Sequence, residues 1–356
     1  MPTSLTLSPH HKGPAYALAS ALLFGISTPF AKLIGQGVDP WLLAGLLYLG
    51  SGIGLGLWRA ASRVRGVRNN EAALKRSDWP WAAAIVFFGG VAAPLLLMFG
   101  LQKTTASTAS LLLNLEALAT MTIAWIVYRE SVDRRLLTGA LAILTGAVVL
   151  SWNFTALAWS GGALFIAAAC VCWGIDNNLT RKLSGADAVQ IAMLKGLVAG
   201  TTNTLLGLIA GAAIPALATI AAAGLTGLFG YGISLVLFVL ALRELGAART
   251  GAYFSTAPFI GAVIAVALMG EPLTLTLLAA GVLMALGVWL HLSEHHEHEH
   301  EHERLTHEHA HVHDAHHQHA HTATDPQGEP HTHRHTHPPL RHKHAHYPDL
   351  HHRHGH

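Results

Sequence analysis

Apolar residues run through the first 292 positions in long blocks, separated by short clusters of charged residues, Gly or Pro. Crossing a hydrocarbon core of about 30 Å takes roughly 20 helical residues. Cutting the chain at the charged and Gly/Pro-marked breaks gives ten candidate spans, at about 14–35, 40–58, 79–101, 104–128, 134–152, 161–182, 187–211, 215–242, 248–269 and 273–292. After residue 292 the pattern changes: His alternates with Glu, Ala, Thr and Arg, and apolar residues become sparse. The expected architecture is an all-α polytopic membrane protein. It comprises a short N-terminal segment (1–13), two helical halves (14–152 and 161–292) and a His-rich tail (293–356).

Composition agrees with that division. With 51% apolar and 12% charged residues the chain is too apolar for an ordinary soluble domain. The first apolar run lacks a strongly basic leader and is followed by many others, so it is expected to be a retained helix, not a cleaved signal. Of 27 histidines, only His10 and His11 precede His291. The net charge of +2 averages unlike parts, so it gives no reason to expect nucleic acid, and basic residues are better used for orientation. Breaks after even-numbered spans carry Arg59, Arg63, Arg65, Arg68, Lys75 and Arg76, then Arg129, Arg134 and Arg135, then Arg181 and Lys182, then Arg243 and Arg249. Odd-numbered breaks carry only Lys103. Both termini, and with them the tail, are expected in the cytoplasm, with the body in a cell membrane of the bacterial inner-membrane kind.

The body repeats. Shifting by 141 places sets "LQKTTASTASLLLNLEALATMTIAWIVYRE" over "LRELGAARTGAYFSTAPFIGAVIAVALMGE", aligning Glu130 with Glu271. A gapped match sets "LLFGISTPFAKLIG" over "CVCWGIDNNLTRKLSG", aligning Gly25 with Gly174. Five spans per half is odd, so the second half must insert upside down, as in transporters that alternate access around a site between inverted repeats.

These features together resemble the drug/metabolite transporter superfamily, EamA type: two five-helix halves, a Phe-Gly or Trp-Gly pair in each first helix, a Glu at each fourth-to-fifth turn and Gly-rich fifth helices. The resemblance covers about residues 14–292. It implies a basket of ten helices around a central cavity that moves small organic metabolites, commonly outward, without naming the substrate. One departure stands out: the Pro that the family usually carries in each fourth helix is present as Pro258, whereas the first half has Glu116-Ala117 at that place.

Glu116 is the most informative residue, because an ionisable group near the bilayer midplane must face a cavity or a partner. It is read either as a ligand for a cationic substrate group or coupling proton, or as a neutral carboxyl that fixes helix packing. Trp173, Asp176, Asn177 and Thr180 share one polar face of the sixth helix. Lys195 lies at a similar depth, so a salt bridge to Asp176 and a site for a zwitterion are both open readings. Asn114, Ser107 and Ser110 form a polar line on the fourth helix, and Asn203 adds an amide on the seventh, as interhelical hydrogen bonders. Glu130 and Glu271 at helix ends are expected to accept bonds from the orphan amides of the following helix. Lys32 and Arg181 are expected to reach the interface.

Other patterns carry less. "GSGIGLG" at 50–56 lies in an apolar span with no phosphate-loop Lys and reads as close helix packing. Cys170 and Cys172 point about 200° apart on a helix and read as packing residues. No nucleophile–base arrangement is found, so an enzyme is not expected, and no cofactor is required. The tail is expected to be disordered, since it cannot bury enough surface to offset its chain entropy. Its imidazoles, among them His295, His296, His298, His300, His302, His307, His309, His311 and His313, are candidate ligands for Zn, Ni, Co or Cu ions. The leading reading is an exporter of a small organic metabolite; the alternative is a transition-metal exporter whose tail collects the ion. The partners expected are a small-molecule substrate, the lipid bilayer and divalent metal ions on the tail.

Overall fold

The computed structural model describes residues 9–66, 71–128, 134–153, 158–292, 297–301, 305–311, 331–337 and 341–345. The body consists of α1 (Lys12–Ile34), α2 (Pro40–Val64), α3 (Arg76–Lys103), α4 (Ala106–Val127), α5 (Arg134–Ser151), α6 (Gly161–Leu183), α7 (Ala188–Ile209), α8 (Leu217–Leu245), α9 (Thr250–Met269) and α10 (Leu275–Leu292). Among the described residues the first nine are long and apolar enough to cross a membrane. The expected tenth span is the 18-residue α10. At about 1.5 Å per residue it falls slightly short of a hydrocarbon core of about 30 Å. Thr274 caps it, its hydroxyl accepting from the Leu277 amide at 3.1 Å, so the helix starts at Leu275 and not at 273.

Helix starts follow local chemistry. Asp39 caps α2 by accepting from the amides of Trp41 and Leu42 at 2.9 and 3.3 Å. Asp187 caps α7 through Val189 and Gln190 at 2.9 and 3.1 Å. The same acidic cap thus opens the second helix of each half. These two helices pack antiparallel: Leu42 lies by Gly207, Gly45 by Thr204, and Gly52 by Gly196 and Leu197. A Cβ on Gly52 would strike backbone, so small residues set how close the helices come. The fifth helices pair likewise, Gly139 against Gly287 and Gly146 against Met284. Corresponding helices of the two halves therefore run in opposite directions, as inverted repeats require. Large apolar side chains such as Leu57, Ile126, Ile209, Leu275 and Val282 point outward and are exposed, which suits a lipid-facing surface.

Two features interrupt the helices at matching places. The expected unbroken span 104–128 is two helices, Ala106–Leu112 and Leu115–Tyr128, joined by a turn at Leu113 and Asn114. In the second half a turn at Ser255 and Thr256 precedes Ala257–Met269. Val86–Ala92 in α3 and Leu228–Ile233 in α8 wind as π-helix. Each of these runs contains closely spaced glycines, Gly89 and Gly90 in one and Gly230 and Gly232 in the other.

The described residues of the tail form short strands: Glu297–Glu301 pairs antiparallel with Arg341–Ala345, and Leu305–His311 with His331–His337. A sequence in which His takes every second place has the period of a strand, and backbone pairing needs no apolar core.

Candidate functional site

The centre of the body is organised by the π-helical turn of α3. Such a turn takes carbonyls out of the regular helical ladder and leaves them available to other donors. The Gly89 carbonyl accepts from the Tyr48 hydroxyl at 2.7 Å and from Trp173 Nε1 at 3.2 Å. The neighbouring Gly90 carbonyl accepts from Asn203 Nδ2 at 3.2 Å. Three polar side chains from α2, α6 and α7 are thereby fixed on one turn. Gly89 must lack a side chain, because the Asp176 carboxylate occupies the space a Cβ would fill.

Asp176 and Lys195 form the ion pair that their depth suggests, with Oδ2 and Nζ 2.6 Å apart and both side chains only 4% exposed. The Thr180 hydroxyl donates to the other carboxylate oxygen of Asp176 at 3.4 Å. In a low-dielectric interior each charge requires the other, since removing one partner strands the second without hydration.

Glu116 is held differently. It lies in the first turn after the break in α4 and is buried. Its Oε1 accepts from Asn177 Nδ2 at 2.9 Å, and that amide also donates to Thr120 Oγ1 at 3.2 Å. Asn178 ties the same two helices together, donating to the carbonyls of Thr120 and Gly174 at 3.0 and 2.8 Å. Gly174 makes this reach short, because a Cβ there would meet Ala119 at 2.8 Å. Among the described residues Glu116 forms no ion pair.

The structure thus collects Glu116, Trp173, Asp176, Asn177 and Lys195 where α3, α4, α6 and α7 meet. Asn114 stands apart: its amide donates to the Leu111 carbonyl and to Met284 of α10, while its Oδ1, with the hydroxyls of Thr28 and Ser110, is buried without a hydrogen-bond partner among the described residues. Among the described residues Glu271 makes no bond to the helix that follows it. Its two carboxylate oxygens accept from the amides of Ala106 and Ser107 at 2.7 and 2.8 Å, capping α4 of the other half. Glu130, together with His295, His296, His302 and His313, lies outside the described residues. In strand register His298 stands opposite His344 and His300 opposite His342, while His307, His309 and His311 stand opposite His335, His333 and His331. Lys32 donates to the Leu101 carbonyl near the end of α3. Sequence reading missed Tyr48, Gly89, Thr120 and Asn178; the adjacent glycines in "FFGG" were the available signal for a special turn.

Ten helical segments, two inverted halves and a polar centre between them invite comparison with known transporters. The profile of the EamA-like transporter family matches this chain twice, over residues 11–152 and 160–293. The chain belongs to the EamA-like transporter family. This transporter is also similar to an uncharacterized transporter of Methanothermobacter thermautotrophicus (strain Delta H), with 30% identity over 288 residues that span 77% of this chain and 84% of the relative. A solved crystal structure shares the fold at a TM-score of 0.61 and 20% identity, covering 79% of this chain and 98% of its own. The protein is a multi-pass membrane transporter.

Proposed function

We propose that this transporter exports a small organic metabolite bearing a cationic group, and that Glu116 is the residue that exchanges that cation with a coupling proton. One observation carries the reading. Of the two carboxylates in the buried centre, Asp176 is matched by Lys195, whereas Glu116 rests on a neutral amide beside a broken helix. A carboxylate so placed is a costly feature unless a mobile cation shares the site. Asp176 and Lys195 then brace α6 against α7, and Trp173 and Asn177 shape the wall. Breaks in the fourth helices at matching positions suit a site between inverted repeats.

The remaining assignments follow from the same reading. All ten helices cross the bilayer, α10 by packing along α5. The basic end faces the cytoplasm, which puts both termini there. The tail binds transition-metal ions on that side as an appendage, and the alternative of metal export is tested alongside.

The experiment is uptake into everted membrane vesicles of a panel of amines, amino acids and nickel, cobalt and zinc ions, under an imposed pH gradient. The full chain, a version ending at Leu292 and Glu116→Gln are compared. An organic cation or zwitterion is expected to be carried by the first two and lost in Glu116→Gln. Transport by Glu116→Gln at the parent rate and with unchanged pH dependence overturns the role of Glu116. Metal uptake that requires the tail favours the metal-export alternative.

A further inference from the structure

Six aromatic side chains from five helices meet beside the buried charges. Phe24 of α1 is the hub: its ring centroid lies 5.8 Å from that of Trp173, 5.9 Å from that of Tyr231 and 5.3 Å from that of Phe254. Tyr48 extends the group through Tyr231 at 5.3 Å, and Phe238 extends it through Phe254 at 4.9 Å. Aligning Gly25 with Gly174 sets Phe24 over Trp173, so each inverted half contributes a ring at the same place. Aromatic residues make up only 7% of the chain, and leucine or valine would pack an apolar interior as well. A concentration of rings next to Glu116 and Asp176 therefore asks for a reason beyond packing.

Phe24 is also the ring with an open side. Around α1 the exposed residues Leu18, Leu22, Phe30 and Leu33 mark the lipid-facing stripe. Phe24 is two residues on from Leu22, about 200° round the helix, and looks into the bundle. It is nevertheless only half-buried, while Trp173 and Tyr231 beside it are each 5% exposed. The space that this ring meets lies inside the bundle. Asn177, whose amide holds Glu116, is half-buried likewise. Trp173 and Asn177 stand four residues apart on one face of α6, which sets the ring wall about one helical turn, roughly 6 Å, from the amide that holds the carboxylate.

We propose that the solute is an arylalkylamine, whose aromatic ring packs on the open side of Phe24 while its ammonium lies on Glu116. The inference rests on the reading of Glu116 as the cation site and adds the apolar half of the solute. The spacing chooses among organic cations. A ring and an ammonium held one helical turn apart need a short alkyl linker between them. A tetraalkylammonium ion is instead recognised by rings that surround the charge itself. Here the groups bonded around the carboxylate are Asn177 and, through it, Thr120, neither of them aromatic. A plain alkylamine would satisfy Glu116 and leave the side of Phe24 without an aromatic partner.

The test is displacement of radiolabelled 2-phenylethylamine from the detergent-solubilised full chain. Unlabelled 2-phenylethylamine is expected to compete at least about tenfold more tightly than n-butylamine, and about fivefold more tightly than 2-cyclohexylethylamine, the scale of an aromatic pair beyond its buried area. The saturated ring is the sharper control, because a merely apolar site would hold it at least as well. Phe24→Leu is expected to bring the phenyl-to-cyclohexyl ratio close to unity, and Phe24→Tyr to keep it. A ratio reports the wall and not the amount of folded protein. Where Phe24→Leu does not fold, Phe24→Met decides by the same ratio. A ratio near unity in the parent, a parent-like ratio in Phe24→Leu or in the methionine variant where that one decides, or displacement by tetramethylammonium as tight as by 2-phenylethylamine overturns the inference. The two readings fail differently. Amine binding without ring preference sinks the aromatic class alone and leaves Glu116 as a cation site. Equal amine affinity in Glu116→Gln and the parent, or no amine binding by the parent, sinks the cation reading and this inference with it.

Discussion

The first helices of the two halves meet the third helices of the opposite halves at equivalent turns, with different chemistry. In one, the π-turn glycine Gly89 abuts Asp176, which pairs with Lys195; in the other, Gly230 abuts Ser27, whose hydroxyl donates to the Phe24 carbonyl of its own helix. Counting from the matched caps Asp39 and Asp187, the place of Lys195 is taken in the first half by Leu47. Glu116 likewise has Ala257 as its counterpart (116 + 141 = 257). The aromatic rings beside these positions, Phe24 and Trp173, touch edge to face with centroids 5.8 Å apart. The backbone is duplicated and the charge is confined to one copy. Packing alone is satisfied by the apolar version, so the charged version is the one that needs a functional explanation.

The largest expected effect comes from splitting the charged copy. Lys195→Leu alone leaves Asp176 buried without its cation and is expected to cost about 3 to 5 kcal/mol of stability, read as a lowered unfolding midpoint of the detergent-solubilised protein. Adding Asp176→Ser rebuilds the arrangement of the first half and is expected to recover most of that loss. If the double variant is as unstable as the single one, the two copies are not equivalent in packing and the comparison breaks.

A smaller effect is expected from filling the glycine. Gly89→Ala drives a methyl group into the Asp176 carboxylate and is expected to cost about 1 to 3 kcal/mol. Gly230→Ala meets the Ser27 side chain and should destabilise by a similar amount. The two should then diverge in transport measured per folded molecule, which falls in Gly89→Ala and persists in Gly230→Ala. Equal transport by both would show that displacing the ion pair has no functional weight.

The smallest effect concerns the clasp between halves away from the centre. Glu271→Ala removes the acceptor for the amides of Ala106 and Ser107 and is expected to cost about 1 kcal/mol in thermal unfolding. Glu271→Gln, which keeps one acceptor, should cost less. Identical loss from both would mean that the charge, and not the hydrogen-bond geometry, provides the cap.

Much of the scaffold was legible because it depends on short-range pattern. Block lengths predicted the helices, and the 141-place repeat predicted two halves. The depth of Asp176 and Lys195 on neighbouring helices suggested their pairing. The break at Leu113 and Asn114 was not legible, because the residues there are apolar or amide and no Pro or Gly marks the turn. The cap by Glu271 was assigned to the wrong helix for a related reason. A carboxylate at a helix end satisfies whichever orphan amides the fold brings near, and those belong to a segment 165 residues away.

By itself the sequence determined the apolar blocks, the duplication, the basic end and the family, because each is written in hydropathy and spacing along the chain. The tertiary structure decided which carboxylate is neutralised and which is held by an amide. It also decided that Gly89 offers its carbonyl to Tyr48 and Trp173. The physical reason is common to both. Inside a membrane protein the state of a polar group is set by what lies within hydrogen-bond reach across a helix interface, and that neighbour is chosen by packing in three dimensions.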